Sequence, residues 1–262
     1  MTDLSGRRAL VTGGAQGLGE GMAGALARAG AHVVVADVQD DLGAKVAESL
    51  GEGHGFVHLD VTDESSWEAA IASATDQLGG LDIVVNNAGV EITSLVVDLD
   101  PADITKMLNI NILGTALGTK HAFLAMRPGG VAGAGGVVIN VASVSATIAF
   151  PAISIYSATK SAVDRFTRVA AMESGKLGYG VRVNSIYPGL VPTEMGAGLA
   201  ADVAQIGLFG SPDEAVAAVI DLTPSGRLGT VEDMADAVVF LASDQAKFIN
   251  GVGLPVDGGM GM

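Results

Sequence analysis

Tyr156 and Lys160, four residues apart in Tyr-Ser-Ala-Thr-Lys, are the pair in this chain best suited to moving a proton. On a helix that spacing sets both side chains on one face, about a turn apart. An ammonium held beside a phenol favours the phenolate. It draws the tyrosine pKa down from its usual ~10 towards the range where the group serves as general acid and base near neutrality. A tyrosine–lysine pair alone is a common helix-face pattern. Here a serine stands upstream at a predicted strand end and a glycine-rich loop opens the chain. Together they point to proton transfer beside a bound nucleotide.

The loop is Thr12-Gly13-Gly14-Ala15-Gln16-Gly17-Leu18-Gly19, between the first apolar run and the first helical stretch. Glycines there allow a tight turn and let backbone N–H groups approach a pyrophosphate at a helix N-terminus. Asp37 ends the second predicted strand. A carboxylate at that place accepts hydrogen bonds from the adenosine ribose and repels a 2′-phosphate. Position 38 is Val and position 16 is Gln, so no neighbouring cation offers to pair that phosphate, and the expected cofactor is NAD. Asp60, ending the third strand, reads equally as a contact to the adenine edge or as a helix cap.

Short apolar runs alternate with amphipathic stretches along the whole chain. Strands are predicted over 8–12, 32–37, 55–59, 81–86, 136–142, 181–187 and 253–256. Helices are predicted over 17–30, 40–50, from Ser65 to about 78, 101–126, 155–176 and 231–243, with a helical region in 194–222. Ser65-Ser66-Trp67-Glu68 has capping-box spacing. Unbroken runs such as Val33-Val34-Val35 and Ile83-Val84-Val85 suit strands covered on both faces. The alternation predicts an α/β fold, a Rossmann-like doubly wound parallel sheet of about seven strands with helices on both faces. One domain is expected over 1–262. Glycines and apolar residues without strand signals make 193–229 a candidate mobile flap over the substrate.

Composition narrows the function. The chain has 262 residues, 49% of them hydrophobic, enough for one sizeable core. A net charge of -15 disfavours nucleic acid and anionic membrane surfaces as partners. There are no cysteines, hence no disulfides or thiolate metal sites. His32, His54, His58 and His121 have no ligand spacing, and no metal is expected. Neither a signal-peptide core nor a spanning apolar run is seen, and a cytoplasmic location is expected.

Taken in order, Thr12-Gly13 with Gly17 and Gly19, Asp60-Val61, Asn86-Asn87-Ala88-Gly89, Asn111, Ser143, Tyr156 with Lys160, Asn184 and Pro188-Gly189 with Thr193 make the chain resemble the short-chain dehydrogenase/reductase family over nearly its full length. The resemblance implies reversible hydride transfer between nicotinamide and a secondary alcohol or ketone. It implies Tyr156 as the general acid/base and Ser143 as the hydrogen-bonding partner of the substrate oxygen; Ser143 is favoured over Ser145 on spacing. Lys160 would hold the nicotinamide ribose and lower the Tyr156 pKa. Asn111, rather than Asn109, would kink its helix and hold a water in a proton relay. Gly13, Gln16, Gly17, Leu18, Gly19, Asp37, Asp60 and Val61 would bind the adenosine and pyrophosphate. Asn87, Ala88 and Gly89 would line the ribose, and Pro188, Gly189, Val191 and Thr193 would hold the nicotinamide. Asn184 reads as structural. A homotetramer is implied, its helices over 101–126 and 155–176 pairing between subunits.

Val90, Ile92, Val144, Ala149, Phe150, Leu190, Met195, Leu199, Ile206, Leu208 and Phe209 are candidate pocket residues, and none is basic. Substrate contacts are expected from Ser143, Val144, Tyr156, Leu190 and Met195. That lining suits an apolar cyclic, aryl or steroid-like secondary alcohol. Glu91 reads as a solvated rim residue. The rival functions are a 3-oxoacyl carrier-protein reductase, a non-catalytic nucleotide-sensing protein and a purely structural oligomer.

Overall fold

The computed structural model of the protein describes residues 2–261. Its seven strands are β1 (Arg8–Thr12), β2 (His32–Asp37), β3 (Gly55–His58), β4 (Ile83–Asn86), β5 (Gly136–Val141), β6 (Val181–Pro188) and β7 (Gly253–Val256). They form one sheet in the order β3-β2-β1-β4-β5-β6-β7, every pairing parallel. The helices are α1 (Gly17–Arg28), α2 (Asp40–Leu50), α3 (Glu64–Leu78), α4 (Pro101–Met107), α5 (Gly114–Met126), α6 (Ser154–Leu177), α7 (Glu194–Gln205), α8 (Pro212–Asp221) and α9 (Val231–Ala242).

The predicted runs of β-branched residues are buried on both faces, as a parallel sheet requires. One core packs Val11, Val33, Val35, Ile83 and Ile139 under Met22, Leu26, Met234, Val238 and Leu241 of α1 and α9. The opposite core packs Leu10, Val34, Val84 and Val138 under Trp67, Ile71, Ala122, Met126 and Ala170 of α3, α5 and α6. Successive strands step one way from β1 to β3 and the other way from β4 to β7. Their carboxyl ends therefore part between β1 and β4, the place where doubly wound folds hold ligands.

Two expectations need correction, and a third is refined. The capping box at Ser65 is not used: the Asp63 side chain caps α3 by accepting the Ser65 N–H. The helix expected over 101–126 is interrupted. Residues Leu108–Leu113 form a π-helical turn between α4 and α5, and the Gly114 N–H bonds the carbonyl of Asn109, five residues back. The helical region over 194–222 is two helices, α7 and α8, joined by a turn. Among the described residues no helix is long and apolar enough to cross a membrane.

Candidate active site

The glycine loop folds as its residues predict. Gly13 and Gly17 have φ of 61° and 58°, in the left-handed region that L side chains avoid. A Cβ on Gly13 would stand 2.9 Å from the Ala88 Cα. Asn87 laces the loop to β4. Its side-chain amide donates to the carbonyls of Thr12 (3.0 Å) and Gly13 (3.1 Å), and the Asn87 and Ala88 N–H groups donate to the Thr12 hydroxyl. Gln16 precedes α1 without capping it through its side chain. The first N–H groups of α1 therefore keep their donors for an anion, while Asp63, Asp100, Thr193, Ser211 and Thr230 cap other helices. A pyrophosphate fits this cradle.

Asp37 is buried at the end of β2. Its carboxylate accepts the N–H groups of Ala15 and Gln39, each at 3.0 Å. It thus holds the glycine loop as well as bordering the cleft. Asp60 caps no helix; its carboxylate accepts the Thr62 N–H and hydroxyl, and it borders the cleft beside Leu59 and Val61. Gly19 packs behind the loop, where a Cβ would meet the Gly13 carbonyl at 2.0 Å, and is not among the residues lining the cleft.

The cleft, ≈ 470 Å³, runs on from the loop past Asn87, Ala88 and Gly89 to Ser143, Tyr156 and Lys160. Ser143 leaves β5 in extended backbone, and its hydroxyl accepts the Ser145 N–H at 3.1 Å. That leaves the Ser143 proton to donate, with the Tyr156 oxygen within its reach. Tyr156 and Lys160 share one face of α6, with the Lys160 Nζ 5.6 Å from the Tyr156 ring centroid. The Lys160 ammonium donates to the Val141 carbonyl at 2.8 Å. Burial pushes the Tyr156 phenol up to about 12; a hydrogen bond with Ser143 pulls the other way and the Glu91 charge adds to the rise. Burial pushes Lys160 down to about 8.

Asn111 sits in the π-helical turn, fully buried, and does not line the cleft. Its amide clamps Val90, accepting that residue's N–H at 2.8 Å and donating to its carbonyl at 2.9 Å, and also donates to the Thr159 hydroxyl. It is close to Lys160: a Cβ on Gly89 would lie 3.3 Å from the Asn111 Oδ1 and 3.4 Å from the Lys160 Nζ. Beneath the site, a buried row that sequence reading missed runs from Asn86 to Asn140 (2.9 Å) and on to Thr167 (2.9 Å). Asn184 is structural, its amide bonded to Ile249 and Val252.

Pro188, Gly189, Leu190, Val191, Thr193 and Met195 form the wall after β6. Of the predicted pocket residues, Val90, Val144, Phe150, Leu190, Met195 and Leu199 line the cleft, whereas Ile92, Ala149, Ile206, Leu208 and Phe209 do not. Phe209 instead stacks on Phe150 at 6.3 Å within a small core of Ala200, Val203 and Ala215. Ile148, Ile153, Val203 and Val219 were missed. Two of them face the cleft because α7 and α8 pack as a hairpin, a pairing that helix periodicity alone does not specify.

Glu91 is not a solvated rim residue. It lines the cleft, and burial pushes its carboxyl up to about 7, the Thr93 hydroxyl opposing and Asp202 reinforcing the shift. The folded chain therefore keeps a proton that the unfolded chain releases near 4.5. Stability falls as pH rises from about 4.5 to about 7, and the loss is complete above that window. Glu91→Gln removes the titration, so the Tm of the variant relative to the parent is expected to be higher at pH 8 than at pH 4.5. A pH-independent difference would show that the carboxyl is solvated.

The family model described as Enoyl-(Acyl carrier protein) reductase matches residues 13–261. The chain is 38% identical to the trans-4-hydroxycyclohexanecarboxylate dehydrogenase of Sinomonas cyclohexanicum, over 96% of this chain and 91% of the relative. It is 35% identical to the 3-alpha-(or 20-beta)-hydroxysteroid dehydrogenase of Mycobacterium tuberculosis, over 98% of this chain and 90% of the relative. The crystal structure of a 3-ketoacyl-(acyl-carrier-protein) reductase from Brucella melitensis complexed with NADH superposes with a TM-score of 0.87 at 32% identity, covering 99% and 100% of the two chains.

Proposed function

The chain belongs to the short-chain dehydrogenase/reductase family, and on that premise we propose that it oxidises an apolar cyclic, aryl or steroid-like secondary alcohol to the ketone with NAD, and runs the reverse reduction. The observation that carries this reading is the cleft itself. It joins the glycine cradle to Ser143, Tyr156 and Lys160 and then to an apolar end. Bound nicotinamide accepts or returns hydride at C4. Gly13, Gln16, Gly17, Leu18, Asp37, Asp60 and Val61 hold the adenosine and pyrophosphate. Asn87, Ala88, Gly89 and Lys160 hold the nicotinamide ribose, and Pro188, Gly189, Val191 and Thr193 hold the ring.

Ser143 donates its hydroxyl proton to the substrate oxygen and stabilises the charge that develops there. Tyr156 takes the alcohol proton during oxidation and returns it during reduction. Asn111 acts through Val90 and Thr159, fixing the wall next to Lys160. A screen of secondary alcohols with NAD, followed by absorbance of the reduced nicotinamide, tests the reading; no turnover of any ring alcohol overturns it.

A 3-oxoacyl carrier-protein reductase would use the same catalytic residues. Among the described residues Lys160 is the one cation lining the cleft, which suits neither a 2′-phosphate nor an acidic carrier. A cytoplasmic homotetramer completes the reading. Its support is the apolar surface that α6 leaves exposed at Val169 and Met172 and that α5 leaves exposed at Leu124.

The segment 193–229 is proposed to close over substrate and exclude water from the reacting atoms. Its helices turn Leu199, Val203 and Val219 to the cleft. Amide exchange with NAD and a substrate analogue is expected to slow across this segment. Protection unchanged by ligand would leave a rigid pocket.

A further inference from the structure

Among the mostly apolar side chains of the substrate end, with the exposed Glu194 at the start of α7 also on the lining, stands the partly buried carboxyl of Glu91. Its only hydrogen-bond donor among the described residues is the Thr93 hydroxyl, 3.1 Å and 3.2 Å from its two oxygens. The titratable groups facing it are Asp202 of α7 and the Tyr156 phenol of α6. Neither neutralises it. Lys160, the cation nearest along α6, gives its ammonium to the Val141 carbonyl. One hydroxyl proton leaves most of a carboxyl's acceptor capacity unused. A polar group drawn into an apolar wall without a partner is costly. The cost has a functional sense if the missing partner arrives with the substrate.

We propose that Glu91 is a specificity residue that receives a hydrogen-bond donor, a hydroxyl or an ammonium, carried by the substrate on the side away from the reacting carbon. The assignment rests on the secondary-alcohol reading above and narrows its substrate class to alcohols with a second, donating polar group. A site built to hydrogen-bond a substrate group discriminates strongly against analogues lacking it, because its own polar atom is then left unpaired. The same carboxyl, with Asp202 behind it, repels a carboxylate in that position.

The test compares cyclohexanol, trans-1,4-cyclohexanediol, trans-4-aminocyclohexanol and trans-4-hydroxycyclohexanecarboxylate with NAD. Each is read as a ratio of kcat/KM to that of cyclohexanol. In the parent protein the diol and the amino alcohol are expected to exceed cyclohexanol about tenfold or more, with the carboxylate below it. In Glu91→Leu both donor ratios fall towards one. Glu91→Gln keeps an accepting oxygen, so it retains part of the diol preference and loses that for the ammonium. The ammonium preference also grows as pH rises through about 7, where Glu91 ionises, and the diol preference does not. Parent ratios near one, or ratios unchanged in Glu91→Leu, overturn the assignment while leaving the alcohol reading intact. Failure to oxidise any of the four overturns the assignment, and the alcohol reading falls with it only where larger ring alcohols are not turned over either.

Discussion

Tyr156→Phe is expected to lower kcat for alcohol oxidation by about 10²–10⁴-fold, the range typical of a lost general acid/base, while NAD still binds. The ring stays and keeps its packing on α6; only the proton carrier goes. Lys160→Ala is expected to harm turnover and NAD affinity together, since on the proposed reading one ammonium serves both the cofactor ribose and the phenol. Unchanged NAD affinity in Lys160→Ala would end the ribose role. The pH profile adds an independent check. Burial, with the Glu91 charge adding and a Ser143 hydrogen bond opposing, holds the phenol at about 12, and burial holds the ammonium at about 8, a combination that favours neutral partners. For Tyr156 to act as a base near neutrality, positive charge must offset burial. The Lys160 ammonium supplies it at 5.6 Å from the ring, and oxidised nicotinamide adds more when bound. The oxidation rate is therefore expected to rise with pH through an apparent pKa below ~10, the free phenol value, belonging to the coupled pair. An apparent value near 12 would mean that burial prevails and that Tyr156 is not the base.

NAD is expected to be used with a kcat/KM at least about a hundredfold above that for NADP, because placing a 2′-phosphate against the Asp37 carboxylate costs several kcal/mol and each ~1.4 kcal/mol is tenfold. Equal efficiency with both cofactors would sink this. The structure decides how the test is built. Asp37 also accepts the Ala15 and Gln39 N–H groups, so Asp37→Ser loses charge and loop anchor at once and is expected to weaken NAD as well as narrow the preference. Asp37→Asn keeps an accepting oxygen and removes the charge. A preference that survives in Asp37→Asn would place the discrimination in another residue.

The sheet and the meeting of Ser143, Tyr156 and Lys160 in one cleft were readable in the sequence because each depends on local pattern. Val33-Val34-Val35 suits a strand covered on both faces, as in a parallel sheet, and Tyr156 and Lys160 share a face wherever a helix forms. What the sequence hid depends on contacts far apart in the chain. Glu91 looks like any charged residue after a glycine turn until α6 and α7 close around it. Ile206, Leu208 and Phe209 look as fit for a pocket as Val203 and Val219, and the packing of α7 on α8 sorts them. The row Asn86–Asn140–Thr167 joins β4, β5 and α6, and no spacing along the chain announces it. Asn111 was found as a helix-kinking residue of a proton relay; its burial and its clamp on Val90 follow from the π-helical turn around it.

That turn holds one residue more than an α-helix of the same rise would need, and such insertions persist mainly where function uses them. Deleting a single residue from it would restore ordinary helical bonding and leave α4 and α5 nearly in phase, but would re-aim the side chains inside the turn by up to about 100°. Asn111 would swing off Val90, the wall beside Gly89 and Lys160 would lose its brace, and the intact Ser143, Tyr156 and Lys160 would face a misplaced partner. The irregularity sets the aim of one side chain: a sequence edit that regularises the backbone disarms the site without touching any group that does the chemistry.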